Sequence, residues 1–387
     1  MKVIAEPGQK VEIKCWADRI DPLSQKLLQK LARWGRLAGP IAVMPDVHFA
    51  SGVSVGTVLV TRDCVLPTAI GVDLGCGMCS QRFDFDTSSC TRGDLENIVA
   101  RIMQSVPTGR HVHREPQEMP AALAKTDLST KTLEHQKMWL GSRHLGTLGG
   151  GNHFIELQRD THRTLWVTVH SGSRGIGAAL ASHHAKIAMR DRREASPLPV
   201  LEFESVEAAA FLRDLNWALT FAAANRRRML DHVAADLHRT FGAEPDMESF
   251  FDVAHNLITQ ELHGGENLIV HRKGAMPAAS GGCGIVPGSM GTASYLVEGL
   301  GNSESYASCS HGAGRKVSRT EAHEKISVRD LRRQMAHVVF PDIRGMEHAL
   351  IEEAPSAYKH IKEVLAQQED LVRPVLRLEP LAVVKGQ

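Results

Sequence analysis

No charge of one sign dominates this 387-residue chain: 45 Lys and Arg stand against 44 Asp and Glu, a formal net charge of +1. A whole-molecule attraction to nucleic acid or to a membrane surface is thereby excluded, and an anionic substrate has to be met locally. No apolar run approaches the length of a bilayer span, and Met1 to Ile4 lead straight into Glu6 and Pro7 without the apolar stretch of a secretion signal. The expected address is the cytoplasm, with no membrane partner. The seven cysteines are odd in number and scattered, which suits reduced thiols better than a disulfide framework. The dipeptide Gly-Lys is absent, which removes a Walker A loop, and "GSRGIG" spaces its glycines wrongly for a dinucleotide fold. Asp-Gly is absent too, and with it the K-x-D-G lysine nucleophile of familiar nucleotidyl-transferring ligases. A phosphate-handling protein built from this sequence needs another nucleophile. Histidine can serve, because its imidazole attacks phosphorus to give a phosphoramidate of high transfer potential.

What is present is ample material for a large core, with 43% hydrophobic and 23% charged residues. Leu23, Leu27, Leu28, Leu31 and Trp34 fall at helical spacing behind Asp21 and Pro22, an N-cap and first-turn pair. From Ile41 to Met78, short apolar runs such as "TVLVT" and "CVLPTAIGVD" are punctuated by glycine and proline and read as strands and tight turns. Leu165 to Val169 reads as a strand delivering His170 into a glycine loop. Residues 203 to 239 lack glycine and proline and predict one long helix or two short ones. Helical texture returns from about Thr320 to Arg373, interrupted at Pro341 and Pro355, before a strand-like "LAVVKG". Arg110 to Lys137 has charge and proline but no clear period and reads as a surface insertion, at about residues 105–140. With no internal repeat and no Pro/Gly/Ser tract between halves, residues 1–387 are expected to form a single α+β domain, a β-sheet core flanked by helices.

Five strings set metal-capable or nucleophilic side chains among glycines: "MPDVHFASG", "VDLGCGMC", "GTLGGGNHFIE", "VHSGSRGIG" and "SCSHGAGR"; a sixth, "FDVAHN", lacks the glycine. Glycine lets the backbone turn sharply and bring its N–H groups up to a phosphate or an ion. Cys76 and Cys79 form a C-x-x-C, which invites a redox reading or half of a zinc knuckle, yet a carboxylate competes beside it and no second C-x-x-C exists. Asp73 and Cys76 can instead point at one metal, with Cys79 a small buried hydrophobe; a plain turn or core position is the alternative. A lone histidine is ordinarily a hydrogen-bonding residue of the core or surface, the default for His111, His144, His184 and His271. His153, His170 and His311 differ, because they lie against glycine loops, where sites are built. His255 follows "FDVA", which reads as possible helix, and by itself it would be core.

Taken together, the strings resemble one family closely, the RtcB family of GTP-dependent RNA ligases, the tRNA-splicing ligases. The resemblance runs from "IAVMPDVH" at Ile41 to "VVKG" at Gly386, and "DLGCGM", "GTLGGGNHFIE", "HSGSRGIG", "HRKGA", "PGSMGTAS" and "SCSHGAGR" occur in the family's order. It implies two manganese ions (Mn2+) and a guanylylated histidine, in an active site built from glycine-rich loops. Asp73, Cys76, His153, His170 and His255 match the family's metal ligands, with Cys76 as the bridging thiolate, and His311 matches the histidine that accepts GMP. The guanine-nucleotide pocket maps onto Asn152, His153, Phe154, Ile155, Glu156, His255, Asn256, Pro287, Gly288, Ser289, Met290, Ser294, His311, Gly312, Ala313, Gly314 and Lys385, with Tyr358 a weaker candidate for stacking on the base.

The implied reaction joins an RNA 3′-phosphate or 2′,3′-cyclic phosphate end to a 5′-hydroxyl end at the expense of GTP, in RNA repair or tRNA splicing. An archaease-type activator is a further partner that the resemblance leaves open. Arg174, Arg272, Lys273, Arg315 and Arg319 lie near motifs and are candidates to meet RNA or triphosphate, against the plain alternative of solvated surface charge. After "MPDVH" the chain reads "FASG", where many relatives carry a glycine and a lysine, a departure that bears on RNA preference more than on catalysis. Two rivals stand beside the ligase: a manganese-dependent phosphatase or cyclic phosphodiesterase that has lost ligation, and a non-enzymatic RNA-binding protein. Formation of a covalent GMP adduct separates the ligase from both rivals, and hydrolysis of a 2′,3′-cyclic end separates the rivals from each other.

Overall fold

The computed structural model describes residues 1–190, 196–341 and 346–386. Two sheets and one long helix organise them. The larger sheet has eight strands in the order Glu244–Pro245, Gly77–Asp86, Thr164–Ser171, Phe154–Arg159, Val372–Lys385, Ser294–Gly299 and Cys283–Val286, with Phe251–Ala254 also paired to Gly77–Asp86. The smaller has six, in the order Lys2–Ile4, Ile13–Cys15, Ile41–His48, Val55–Thr61, Glu266–Lys273 and Asn256–His263. Mixed helix and sheet is thus the observed class, in line with the α+β expectation.

The helix Val206–Phe241 is unbroken over 36 residues. Ser205 caps it by accepting from the Ala208 N–H, and Gly242, in the left-handed region, ends it. Its buried stripe, Phe211, Leu215, Ala218, Ala222, Asn225, Met229 and Val233, lies at three- and four-residue spacing. The upper part packs with Ile176 and Leu180 of the helix Arg174–Arg190, the lower with Val167 and Val169 of the larger sheet. The stretch read as an insertion sends Leu123, Leu128 and Leu133 into the upper cluster, and the Trp217 indole donates to the Leu123 carbonyl at 3.0 Å. The early helix runs Pro22–Ala32 with Asp21 accepting from the Ser24 N–H, so Trp34 falls just beyond it.

Two local readings are corrected. "FDVA" is a strand, because Phe251 to Ala254 pair with Ser80 to Gly77 of the larger sheet, a partner that no local propensity reveals. The C-terminal strand begins at Val372 and extends to Lys385, pairing first with Ser294–Gly299 and then with Phe154–Arg159. The helical texture before it resolves into the short pieces Arg319–Lys325, Val328–Gln334, Met346–Leu350 and Ile361–Ala366, while 342–345 lie outside the described residues.

Candidate metal and nucleotide site

Strand register explains why distant strings meet. His170 is paired on one side with Met78 and on the other with Phe154, so Cys76, His153 and His170 sit together at one end of three adjacent strands. Lys385 pairs with Phe154 and joins that end. His255 enters from a fourth strand: Ala254 pairs with Gly77, and the His255 N–H donates to the Cys76 carbonyl at 2.8 Å. One residue later, Asn256 begins a strand of the smaller sheet, so His255 is the point where the chain leaves one sheet for the other.

Asp73, Cys76 and His153 form one group of ligand atoms within 4.8 Å of one another, and Cys76, His170 and His255 form a second. The thiol is common to both. Its sulfur lies 3.3 Å from His170 Nε2 and 3.5 Å from His153 Nε2. The His153 Nδ1 sits 2.9 Å from the Leu148 carbonyl, which can only accept, so Nδ1 carries the proton. Nε2 then directs a lone pair at Asp73 Oδ2, 3.0 Å away. A lone pair facing a carboxylate calls for a cation between them or a proton on the ring. Burial, reinforced by neighbouring imidazoles, holds His170 and His255 far below the usual histidine range, so both are neutral donors, and His255 Nδ1 has no hydrogen-bond partner. Burial and the Asp73 carboxylate push the Cys76 thiol well up, a cost that a divalent ion reverses. The donors therefore fit two metal ions bridged by one thiolate.

The glycines are sterically required here. A Cβ on Gly172 would lie 2.1 Å from the Asp73 carboxylate, and one on Gly77 would lie 2.4 Å from the Val253 carbonyl. Cys79, by contrast, is fully buried beside Phe83, Val167 and Val169 and packs as a small hydrophobe.

A cavity of about 290 Å³ opens on the second group and on His311. The His311 ring centroid is 4.6 Å from that of His255, which is 5.1 Å from that of His170. Asp46, wholly buried, accepts from the His311 backbone N–H at 3.2 Å and from Nδ1 at 2.7 Å. Nδ1 is thus the nitrogen that donates to the carboxylate, and Nε2 is the one that can present a lone pair to an electrophile. Asn152, Phe154, Glu156, Asn256, the run Pro287 to Met290, Gly312 to Gly314 and Lys385 all line the cavity. His153, Ile155 and Ser294 do not: His153 turns to Asp73 and Cys76, strand alternation sends Ile155 into the lower core cluster, and Ser294 is buried. Burial raises the Glu156 carboxyl to about 8, so at neutral pH it is largely protonated and can donate as well as accept. Lys385 Nζ binds Glu353 at 2.8 Å and the Asn152 carbonyl at 3.1 Å. Tyr358 also lines the cavity, its hydroxyl donating to Glu353 at 2.7 Å and the Arg315 guanidinium lying 5.3 Å from its ring centroid.

Of the five cations flagged by sequence, Arg315 and Arg319 line the cavity. Lys273 does too, but its ammonium is bonded to the Ser51 and Val53 carbonyls. Arg272 is buried and committed to Glu261, Ser308 and the Tyr306 carbonyl, so it is structural. Arg174 donates to Thr147 and, at 3.4 Å, to the Gly109 carbonyl.

Four residues escaped the sequence reading. Asp46 lay inside the flagged "MPDVH" and was the findable one. Glu353 has no sequence signal. Asn225 and Arg226 continue the buried stripe of the long helix, where polar residues are costly unless fully bonded. Arg226 donates to the carbonyls of Gly75 and Ser171 and is bidentate to Asp252, while Asn225 binds Gly146, Thr147, Ser171 and Gly172. One helix turn thus anchors the loops on which Asp73, Cys76, His153 and His170 are mounted.

A family model described as tRNA-splicing ligase RtcB matches residues 27–386. The chain belongs to the RtcB family. It is 37% identical to an Escherichia coli protein named RNA-splicing ligase RtcB1, over 97% of each chain. It is 36% identical to RNA-splicing ligase RtcB of a second Escherichia coli strain, again over 97% of each. Against tRNA-splicing ligase RtcB of Thermococcus kodakarensis it is 28% identical, over 89% of this chain and 87% of the relative. Among the described residues, no helix is long and apolar enough to cross a membrane.

Proposed function

We propose that this RtcB-family protein is a GTP- and manganese-dependent RNA ligase that joins 3′-phosphate or 2′,3′-cyclic phosphate ends to 5′-hydroxyl ends through a GMP adduct on His311. The observation that carries the reading is His311 itself: Asp46 fixes its proton at Nδ1, and Nε2 is free beside the ligand group of Cys76, His170 and His255.

Asp73, Cys76 and His153 would hold one ion and Cys76, His170 and His255 the other; the ions supply charge neutralisation at phosphoryl oxygens and acidify a bound hydroxyl. Zinc would bind such donors more tightly by the general affinity order, so manganese rests on the family resemblance together with cellular availability. His311 Nε2 forms a bond to the α-phosphorus of GTP while the bond to the β-phosphate oxygen breaks and pyrophosphate leaves. The positive charge left on the imidazole is balanced by Asp46. An oxygen of the RNA 3′-phosphate then takes the GMP as the N–P bond breaks. The 5′-hydroxyl attacks the 3′-phosphorus, its proton is released, and GMP departs. Phe154, Tyr358, Glu156 and Lys385, which line the cavity, would bound the place for the base, and the glycine-loop backbone with Arg315 and Arg319, now paired with Glu353 and Glu352, would meet the phosphates.

Incubation with manganese and GTP labelled at the α-phosphate tests this. Label is expected on wild-type protein and not on His311→Ala. Unlabelled wild type that still hydrolyses 2′,3′-cyclic ends would move the assignment to the phosphodiesterase.

A further inference from the structure

His48, Val55, Arg315, Arg319 and Tyr358 line the cavity and also border an adjoining open groove of about 1970 Å³. Phe49, the residue after His48, stands in the wall of that groove with 49% of its surface exposed. A lone exposed apolar side chain is ordinary, so its place has to decide what it does. Among the described residues the strongly exposed Phe and Trp side chains are Phe49 and Trp139, and Phe49 alone of the two lines the groove. Nor is its segment loose. His48 Nδ1 lies 2.9 Å from the Asp46 carbonyl, and Lys273 Nζ binds the Ser51 and Val53 carbonyls at 3.2 and 2.5 Å. The backbone on both sides of Phe49 is therefore anchored, and the residue stands where cavity and groove adjoin.

The charges of the groove sort in the same way. Arg159 and Arg377 are paired with Glu379, Arg315 with Glu353 and Arg319 with Glu352, and Lys359 binds the Pro45 and Val47 carbonyls. Asp21 caps a helix and Glu321 is paired with Lys325. Arg19, Lys316 and Lys362, with the single carboxylate Glu363 among them, line the groove, are exposed, and make no ion pair among the described residues, which leaves the uncommitted charge positive. An exposed aromatic side chain and uncommitted cations in the wall of one groove make an arrangement that can hold single-stranded nucleic acid, since every base has a π-face and every linkage a phosphate.

We infer that Phe49 is a stacking platform for an unpaired base near the RNA end, with Arg19, Lys316 and Lys362 meeting the phosphates that lead away from it. This deepens the ligase reading and rests on it.

The test compares wild type, Phe49→Ala and Phe49→Trp on short RNAs with 3′-phosphate and 5′-hydroxyl ends. The same RNAs carry a single abasic nucleotide placed in turn at each terminal position. Phe49→Ala is expected to raise KM for RNA about tenfold with kcat little affected, and Phe49→Trp to restore it. An abasic nucleotide at one position should raise the wild-type KM by a like factor and make wild type and Phe49→Ala equal. Equal KM for wild type and Phe49→Ala on intact RNA overturns the proposal, as does a loss that persists unchanged at every abasic position. Self-nucleotidylation, which needs no RNA, is followed alongside: if it falls in Phe49→Ala in step with ligation, the defect lies in the site and the stacking role is refuted. Wild type that neither accepts GMP nor ligates defeats the ligase reading instead.

Discussion

Two carboxylate-histidine pairs in this protein share one contact distance, through Nδ1 in one and Nε2 in the other, and differ in almost everything else. Asp46 meets His311 at 2.7 Å, and Asp214 meets His184 at 2.7 Å. In the first pair the far nitrogen looks into a cavity beside the metal-ligand group. In the second both side chains are wholly buried, Asp214 also accepts from the Ser129 N–H and hydroxyl, and His184 Nδ1 faces no partner. The second pair fastens the segment around Ser129 to two helices. A buried carboxylate beside an imidazole therefore does not mark chemistry by itself; what the other nitrogen faces does.

The comparison can be broken in order of effect. His311→Ala should abolish GMP labelling entirely, whereas His184→Ala, if it folds, should still accept label; a labelled His311→Ala would move the nucleophile elsewhere. Cys76→Ala should lose both ions together, because its sulfur belongs to both ligand groups, and metal analysis that still finds two tightly held ions would remove the bridge. Asp46→Asn keeps the shape but not the charge, and should slow adduct formation by about a hundredfold with metal content unchanged; a wild-type rate would leave Asp46 no part in preparing His311. Asp214→Ala should act on stability alone. Leaving His184 and Ser129 unpaired costs about 3 kcal/mol, read from denaturant unfolding, while the labelling rate per folded molecule is preserved. A catalytic loss without a stability loss would erase the distinction between the pairs.

The residue types of the site were legible in the sequence, and their meeting was not. "VDLGCGMC", "GGGNHFIE" and "VHSGSRGIG" advertise loops, but only strand register brings Cys76, His153 and His170 to one end of a sheet. His255 looked like core for the same reason: its strand owes its existence to a partner some 170 residues earlier. The long helix was readable because period and composition are local, and its Asn225 and Arg226 were passed over because their bonding partners are backbone groups of distant loops. Arg272 shows the opposite error, since proximity to a motif says nothing about whether a guanidinium is already spent on Glu261.

His255 is one residue long as a link between two sheets. An ion shared by His255, Cys76 and His170 would pin that one-residue link to the end of the larger sheet, so that loss of the ion would free the point from which the smaller sheet departs.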